Sequence, residues 1–291
     1  MSGYVDIHCH GGGGHAFGGT VDGTLAAVAA HRAHGSGRIV ASLVSAPPAV
    51  TARAVAVIRE AMAAEPALLG VHLEGPFLQP ARKGAHDPAS LAIPTPEAVA
   101  ALLDACDGTM RQITIAPELP GALAAIETLV EAGVVVAVGH TEATAAQARA
   151  AFDRGATLLT HGLNAMRGIS AREPGPVGAA LADERVTIEV IADGIHVDPG
   201  LIAALFRTAP GRVCLVTDAM SAAGAAPGRY VLGGLDVDVT RDGRAVLAGT
   251  DTLAGSTLTL DRAIEVCVAA GVPRDAAVAA ATGVPERVLG L

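Results

Sequence analysis

Val134-Val135-Val136-Ala137-Val138-Gly139-His140 is a run of apolar and small residues that stops on a histidine. A strand wetted on one face alternates apolar and polar residues. This one does not alternate, so it reads as a strand buried on both faces, as in a parallel sheet covered by helices. Seven more runs share its character: Val5–Cys9, Arg38–Ser45, Leu69–Glu74, Gln112–Ala116, Leu158–His161, Thr187–Ile191 and Val213–Thr217.

Between the runs lie longer, Ala-rich amphipathic segments: Val21–His34, Ala49–Ala64, Thr95–Cys106, Gly121–Ala132, Thr144–Arg154 and Pro199–Thr208, with Thr257–Ala269 after the last run. Many open on Thr, Asp or Pro and stop near Gly133, Gly155 or Gly271, the expected start and stop chemistry. Alternation of strand and helix implies a parallel sheet. Eight units in 291 residues fit a closed (β/α)8 barrel, which takes roughly 250 residues. An open doubly wound sheet is the alternative. Tyr230–Leu247 breaks the alternation and reads as a hairpin around Arg241-Asp242-Gly243-Arg244, inserted between the eighth strand and its helix. The whole chain, 1–291, reads as one barrel domain carrying this insertion at about 230–247.

Composition narrows the class. The chain is 51% hydrophobic with 2% aromatics and no Trp, so Ala, Val, Leu and Ile must pack its core. A net charge of −9 with no basic run argues against nucleic-acid binding. No apolar stretch reaches the roughly 18–20 residues a membrane span needs. Met1–Asp6 carries no signal-peptide pattern, and Cys9, Cys106, Cys214 and Cys267 are far apart, which reads as reduced thiols in a cytoplasmic protein.

The polar residues fall at strand ends. Asp6-Ile7-His8-Cys9-His10 ends the first strand, and His8 and His10, two apart, share a face. The third ends in Glu74, the fifth in His140, the sixth in His161 and the eighth in Asp218. Each alone also fits an idle, solvated strand end. Together they ring the C-terminal mouth, where barrel enzymes keep their active sites, and they are the donor types that hold zinc and similar ions. His31 and His34 read as solvated helix residues and His15 as a loop residue. His72 points the same way as Glu74 and reads as its support or as interior packing. Gly11–Gly14 lacks the ending of a phosphate-binding P-loop.

These motifs resemble the amidohydrolase superfamily and, within it, the N-acetylglucosamine-6-phosphate deacetylases. The likeness lies in Leu73-Glu74-Gly75-Pro76-Phe77, Lys83-Gly84-Ala85-His86, Val138-Gly139-His140-Thr141, His161-Gly162-Leu163-Asn164-Ala165-Met166, Arg172-Glu173-Pro174-Gly175, Ile191-Ala192-Asp193-Gly194-Ile195-His196-Val197, Leu215-Val216-Thr217-Asp218-Ala219-Met220 and Leu253-Ala254-Gly255-Ser256. It spans nearly the whole chain.

The resemblance implies a site, position by position. Glu74, His140 and His161 would be the main metal ligands, with His8 and His10 serving a second metal. Asp218 would be the catalytic base and acid, and His86 would meet the acetamide carbonyl. Asn164, the backbone of Ala165, Arg172 and His196 would hold the sugar phosphate. It further implies one or two divalent ions per subunit, zinc first, with iron, manganese or cobalt as alternatives. A homodimer in which a partner supplies a phosphate-binding residue follows from the same likeness. Members usually carry a small β-sandwich built from flanking segments. Here the chain begins two residues before Gly3-Tyr4-Val5-Asp6-Ile7-His8 and ends at Val288-Leu289-Gly290-Leu291, so that sandwich is expected to be missing.

Other readings compete. A cyclic amidase or nucleobase deaminase uses similar strand-end ligands, but Asn164-Ala165-Met166 with Arg172-Glu173-Pro174-Gly175 suits a phosphosugar better. No lysine ends a candidate strand, against a carbamylated-lysine site. A truncated, inactive sugar-phosphate-binding paralogue is the non-enzyme alternative. The sequence leaves the metal and the glucosamine or galactosamine epimer open.

Overall fold

The computed structural model describes residues 3–291; Met1 and Ser2, part of the segment read for a signal peptide, lie outside them. Eight parallel strands run in chain order around a (β/α)8 barrel: β1 (Tyr4–Cys9), β2 (Ser36–Val44), β3 (Leu68–Glu74), β4 (Met110–Ile115), β5 (Val135–Val138), β6 (Leu158–Leu159), β7 (Thr187–Ile191) and β8 (Val213–Val216). Parallel ladders join each strand to the next from β1 to β8, with register shifts in the β1–β2, β2–β3 and β3–β4 pairs.

The seam between β8 and β1 closes differently. Asp218 N donates to His8 O at 2.8 Å, and His10 N donates to Ala219 O at 2.7 Å. The buried Asp6 carboxylate accepts from Thr217 Oγ1 at 2.6 Å and from Thr217 N at 3.3 Å. A side chain therefore supplies part of the pairing that backbone supplies elsewhere. Burial raises the Asp6 pKa, and the Thr217 bonds oppose that rise.

Helices cover the outside. α1 (Val21–Ala33) starts at Thr20, whose side chain accepts from Gly23 N. The helix Ala145–Asp153 opens with a capping box between Thr144 and Gln147. The apolar face of each helix packs on the sheet: Ala27 and Val28 from α1, and Ala148, Ala151 and Phe152 from Ala145–Asp153, are all fully or nearly fully buried. The side chains at this contact are mostly Ala and Val, so the helices sit close to the strands.

The expected strand at Leu158–His161 is shorter, because His161 leaves it with φ +29°. Short helices at Gly175–Leu181, Arg274–Ala280 and Gly283–Leu289 had no sequence expectation. Between β8 and the helix Leu260–Ala269, three antiparallel strands form a small sheet: β9 (Gly228–Leu232), β10 (Leu235–Val239) and β11 (Ala245–Leu247). It packs Leu232, Val237 and Ala245 against Met220, Ala254 and Ala85 near the barrel mouth. Among the described residues no two-layer β-sandwich is present.

Candidate metal centre and active site

The C-terminal ends of β1, β3, β5, β6 and β8 bring six side chains to one point. His140 Nε2 and His161 Nε2 each lie 3.0 Å from Glu74 Oε1, and 3.0 Å from each other. His10 Nε2 lies 3.2 Å from Glu74 Oε2 and 3.1 Å from Asp218 Oδ1. His8 Nε2 is 3.3 Å from that same Asp218 oxygen and 3.5 Å from Glu74 Oε1. All six residues are buried. They form two donor sets that share Glu74: Glu74–His140–His161, and His8–His10–Glu74–Asp218.

The backbone is bent to bring them there. His140, His161 and Asp218 carry φ of 47°, 29° and 48°, a region costly for residues with a Cβ and frequent at functional sites. Each chain reversal at a strand end throws the side chain into the mouth. Gly139 is the small residue this requires, because a Cβ there would meet Thr160 Cβ at 2.6 Å and Thr114 Cγ2 at 2.8 Å.

The donor chemistry fits a cation. His8 Nδ1 donates outward to Glu189 Oε2 at 3.0 Å, and His140 Nδ1 donates outward to the carbonyl of Arg82 at 2.8 Å. Each ring then turns an Nε2 lone pair inward. Inward-facing imidazole lone pairs at 3.0–3.3 Å repel unless a proton or a cation lies between them. Imidazole and carboxylate donors suit zinc and its first-row neighbours.

The charges respond to the crowding. Burial alone would depress His8 and His10. The Glu74, Asp218 and Glu189 carboxylates override it and hold His8 well above its usual value. Hydrogen bonds that His10 donates to Asp218 and Glu74 bring it to about 9. Burial would raise Glu74 and Asp218, but the surrounding imidazoles, His8 foremost, hold both below the ordinary carboxylate range.

His86, from the loop after β3, closes the other side. Its Nε2 lies 3.3 Å from Glu74 Oε2, and Ser45 N donates to its Nδ1 at 3.2 Å. Burial lowers its pKa to about 4 against the pull of Glu74. His86 is therefore a neutral imidazole with its proton on Nε2.

A cavity of about 430 Å³ opens above the donors, lined by His86, Asn164, Ala165, His196, Leu232 and Leu253 among others. That is ample for a small ligand. His196 is held by Asp193, which accepts from its Nδ1 at 2.7 Å and from its backbone N at 2.8 Å. Burial, the largest single effect, works to raise Asp193, but the His196 ring bond and charge together with the backbone N–H groups of His196 and Ile195 outweigh it and hold Asp193 below its ordinary value. Ala165, at φ 49°, turns its backbone at the cavity wall. Arg172 does not line this cavity; it is exposed on the loop that precedes Gly175–Leu181.

Four other histidines differ in environment. Contrary to the solvated position its helix pattern predicts, His31 is buried: its Nε2 donates to Gly11 O at 2.9 Å and lies 3.3 Å from Cys9 Sγ. The glycine pair Gly11–Gly12 folds back over α1 and covers it. His34 is half-exposed beside Asp261, and His15 is exposed. His72 sits in an interior hydrogen-bond chain, bonded to Ser42 Oγ and to Thr114 Oγ1 at 2.9 Å each. Burial and the neighbouring His8 depress it, so it serves as a neutral strut beneath the donors.

Sequence reasoning missed Glu189. It is a fully buried acid in the apolar run Thr187-Ile188-Glu189-Val190-Ile191, and that placement was the available signal.

A family model described as the amidohydrolase family matches residues 1–291. N-acetyl-D-glucosamine-6-phosphate deacetylase from Mycobacterium smegmatis, solved as an aspartate-to-alanine variant in complex with N-acetyl-D-glucosamine-6-phosphate, superposes with TM-score 0.96 at 51% identity. The match covers 100% of this chain and 78% of that one. N-acetylgalactosamine-6-phosphate deacetylase from Escherichia coli O157:H7 is 39% identical over 99% of this chain and 77% of its own length. N-acetylglucosamine-6-phosphate deacetylase from Danio rerio is 36% identical over 99% of this chain and 75% of its own. Matched along its whole length, and carrying imidazole and carboxylate donors at the mouth of its barrel, this chain belongs to the amidohydrolase family.

Proposed function

We propose that this chain hydrolyses the acetamide of N-acetylglucosamine 6-phosphate, giving acetate and glucosamine 6-phosphate. One observation carries the reading: a neutral His86 and a buried Asp218 flank the same cluster of inward-facing imidazoles at the floor of a ligand-sized cavity. The relatives' names agree with it, and the 51%-identical structure holds the glucosamine form. The galactosamine epimer is the second reading, carried by the 39%-identical relative.

An amide resists water because its carbonyl is weakly electrophilic and its amine leaves poorly. Glu74, His140 and His161 would hold one divalent ion, zinc first, and His8, His10, Glu74 and Asp218 a second. Such an ion supplies Lewis acidity, polarising the carbonyl and lowering the pKa of water from 15.7 toward about 7. Asp218, kept ionised by its histidine neighbours, takes the proton of the attacking water at Oδ1 or Oδ2 and returns it to the departing amine. His86 donates from Nε2 to the oxygen that gains charge.

Asn164, the Ala165 backbone and His196 anchor the phosphate end, and Arg172 of the partner subunit completes it in a homodimer. Arg172 suits that task, since its planar fork pairs with phosphate. Binding energy taken there positions the acetamide at the floor. The setting is amino-sugar catabolism in the cytoplasm; no described helix is long and apolar enough to cross a membrane.

The test is metal analysis of the purified protein coupled to acetate release from N-acetylglucosamine 6-phosphate and its galactosamine epimer. Faster release from the glucosamine substrate is the expected result. Bound metal with no acetate released from either substrate overturns the proposal.

A further inference from the structure

Two buried acids of the barrel, Asp6 and Glu189, take no part in the reaction above; Asp6 closes the β8–β1 seam through Thr217, and Glu189 has no such task. Glu189 is 0% exposed in the middle of β7. A carboxylate in such a place is costly unless its oxygens are bonded. Here Oε1 accepts from Gln112 Nε2 at 2.8 Å, and Oε2 accepts from His8 Nδ1 at 3.0 Å and from His161 N at 3.2 Å.

These bonds reach both donor sets unequally. At His8 the bond is to the ring, so it decides which nitrogen carries the proton and which lone pair faces Glu74 and Asp218. At His161 the bond is to backbone only, and the ring Nδ1 is left without a partner. The other set has its own anchor, the Arg82 carbonyl on His140 Nδ1. His8 and Glu189 also lie 181 positions apart, so this bond ties the start of the barrel to its seventh strand.

The geometry points to Glu189 as the positioning residue that governs metal occupancy of the His8–His10–Glu74–Asp218 set, while the Glu74–His140–His161 set fills without it. This rests on the metal-centre reading above.

Glu189→Gln is the informative variant, because it removes the charge and keeps the shape. The new amide oxygen still accepts from His8 and His161. Gln112, whose Oε1 has no partner in the structure, turns its amide to accept from the new NH2. The fold therefore has no reason to fail. Glu189→Leu removes the anchor altogether.

The experiment titrates metal-free, full-length protein with cobalt(II) alone, reading visible absorption and bound metal after equilibrium dialysis. His10→Asn supplies the spectrum of the set that remains. The parent protein takes two equivalents. In Glu189→Gln the second equivalent binds roughly 10-fold more weakly, and in Glu189→Leu up to about 100-fold, with the first unchanged. Unchanged second binding in Glu189→Gln, equal weakening of both equivalents, or a parent protein that takes one equivalent overturns the inference. No substrate is involved. A protein that loads two equivalents but releases no acetate overturns the deacetylase reading and leaves this one standing.

Discussion

The backbone N–H of Ser45 points at Nδ1 of His86, 3.2 Å away. A backbone N–H can only donate, so Nδ1 must accept and the ring proton must sit on Nε2. Burial, which brings the His86 pKa to about 4, keeps it so across the neutral range. The side chain proposed to face the acetamide is thereby fixed as a hydrogen-bond donor. Replacing it with Asn shortens the reach of that donor. We expect His86→Asn to lower kcat by about 10²–10³-fold with metal content unchanged. Steady-state kinetics beside metal analysis decides; a parent-like kcat removes His86 from the chemistry.

Asp218 is expected to matter through its proton. Asp218→Asn keeps size and polarity but cannot take a proton from water. Turnover should fall roughly 10²-fold or more, while KM and the first metal equivalent stay near those of the parent. Near-normal turnover would show that another group is the base.

Arg172 is exposed and away from the cavity of its own subunit, so in the homodimer proposed above its phosphate contact would be made across the interface. Arg172→Ala should raise KM for the phosphorylated sugar and leave turnover of unphosphorylated N-acetylglucosamine unaffected. Mixing subunits that carry Arg172→Ala with subunits that carry Asp218→Asn should raise turnover at low phosphosugar concentration above that of either variant alone. If mixing gives no such rise, the contact is not made in trans.

In the metal-free protein His10 titrates at about 9, lifted by Asp218 and Glu74 against its burial. Its folded value lies above the unfolded 6.5, so its contribution to stability is full below 6.5 and lost as pH rises through 9. Metal must displace that proton, so metal affinity should rise over the same window. Calorimetric titrations at pH 6.5, 7.5 and 8.5 measure both proton release and affinity. Affinity that is flat across this range would contradict the raised His10.

Gly139 sits where β5 passes Thr114 and Thr160. A methyl group there would lie 2.6 Å from Thr160 Cβ, closer than side chains approach. Gly139→Ala should cost about 1–3 kcal/mol through overpacking, read by denaturant unfolding of the metal-free protein. An unchanged midpoint would mean that the barrel wall yields at no cost.

Much of the architecture was legible before any coordinates. Thr187–Ile191 has the same limits in both views, and Pro199–Thr208 likewise. Strands buried on both faces leave few other readings for a short aliphatic run. Gly175–Leu181 and Gly283–Leu289 escaped because each is only two turns long and carries Gly and Pro near its start. Helices this short form only where packing supports them.

The sequence by itself determined where chemistry could be. An apolar run that ends in Glu74, His140 or Asp218 places a polar group at a strand end, because nothing inside the run could be left unpaired. Only the tertiary structure decided which nitrogen each ring offers and what holds it. Ser45 with His86, Arg82 with His140 and Glu189 with His8 are pairs separated by tens to nearly two hundred residues. Ring orientation follows from hydrogen bonds across a closed barrel, and no local pattern of residues encodes which strands that closure brings together.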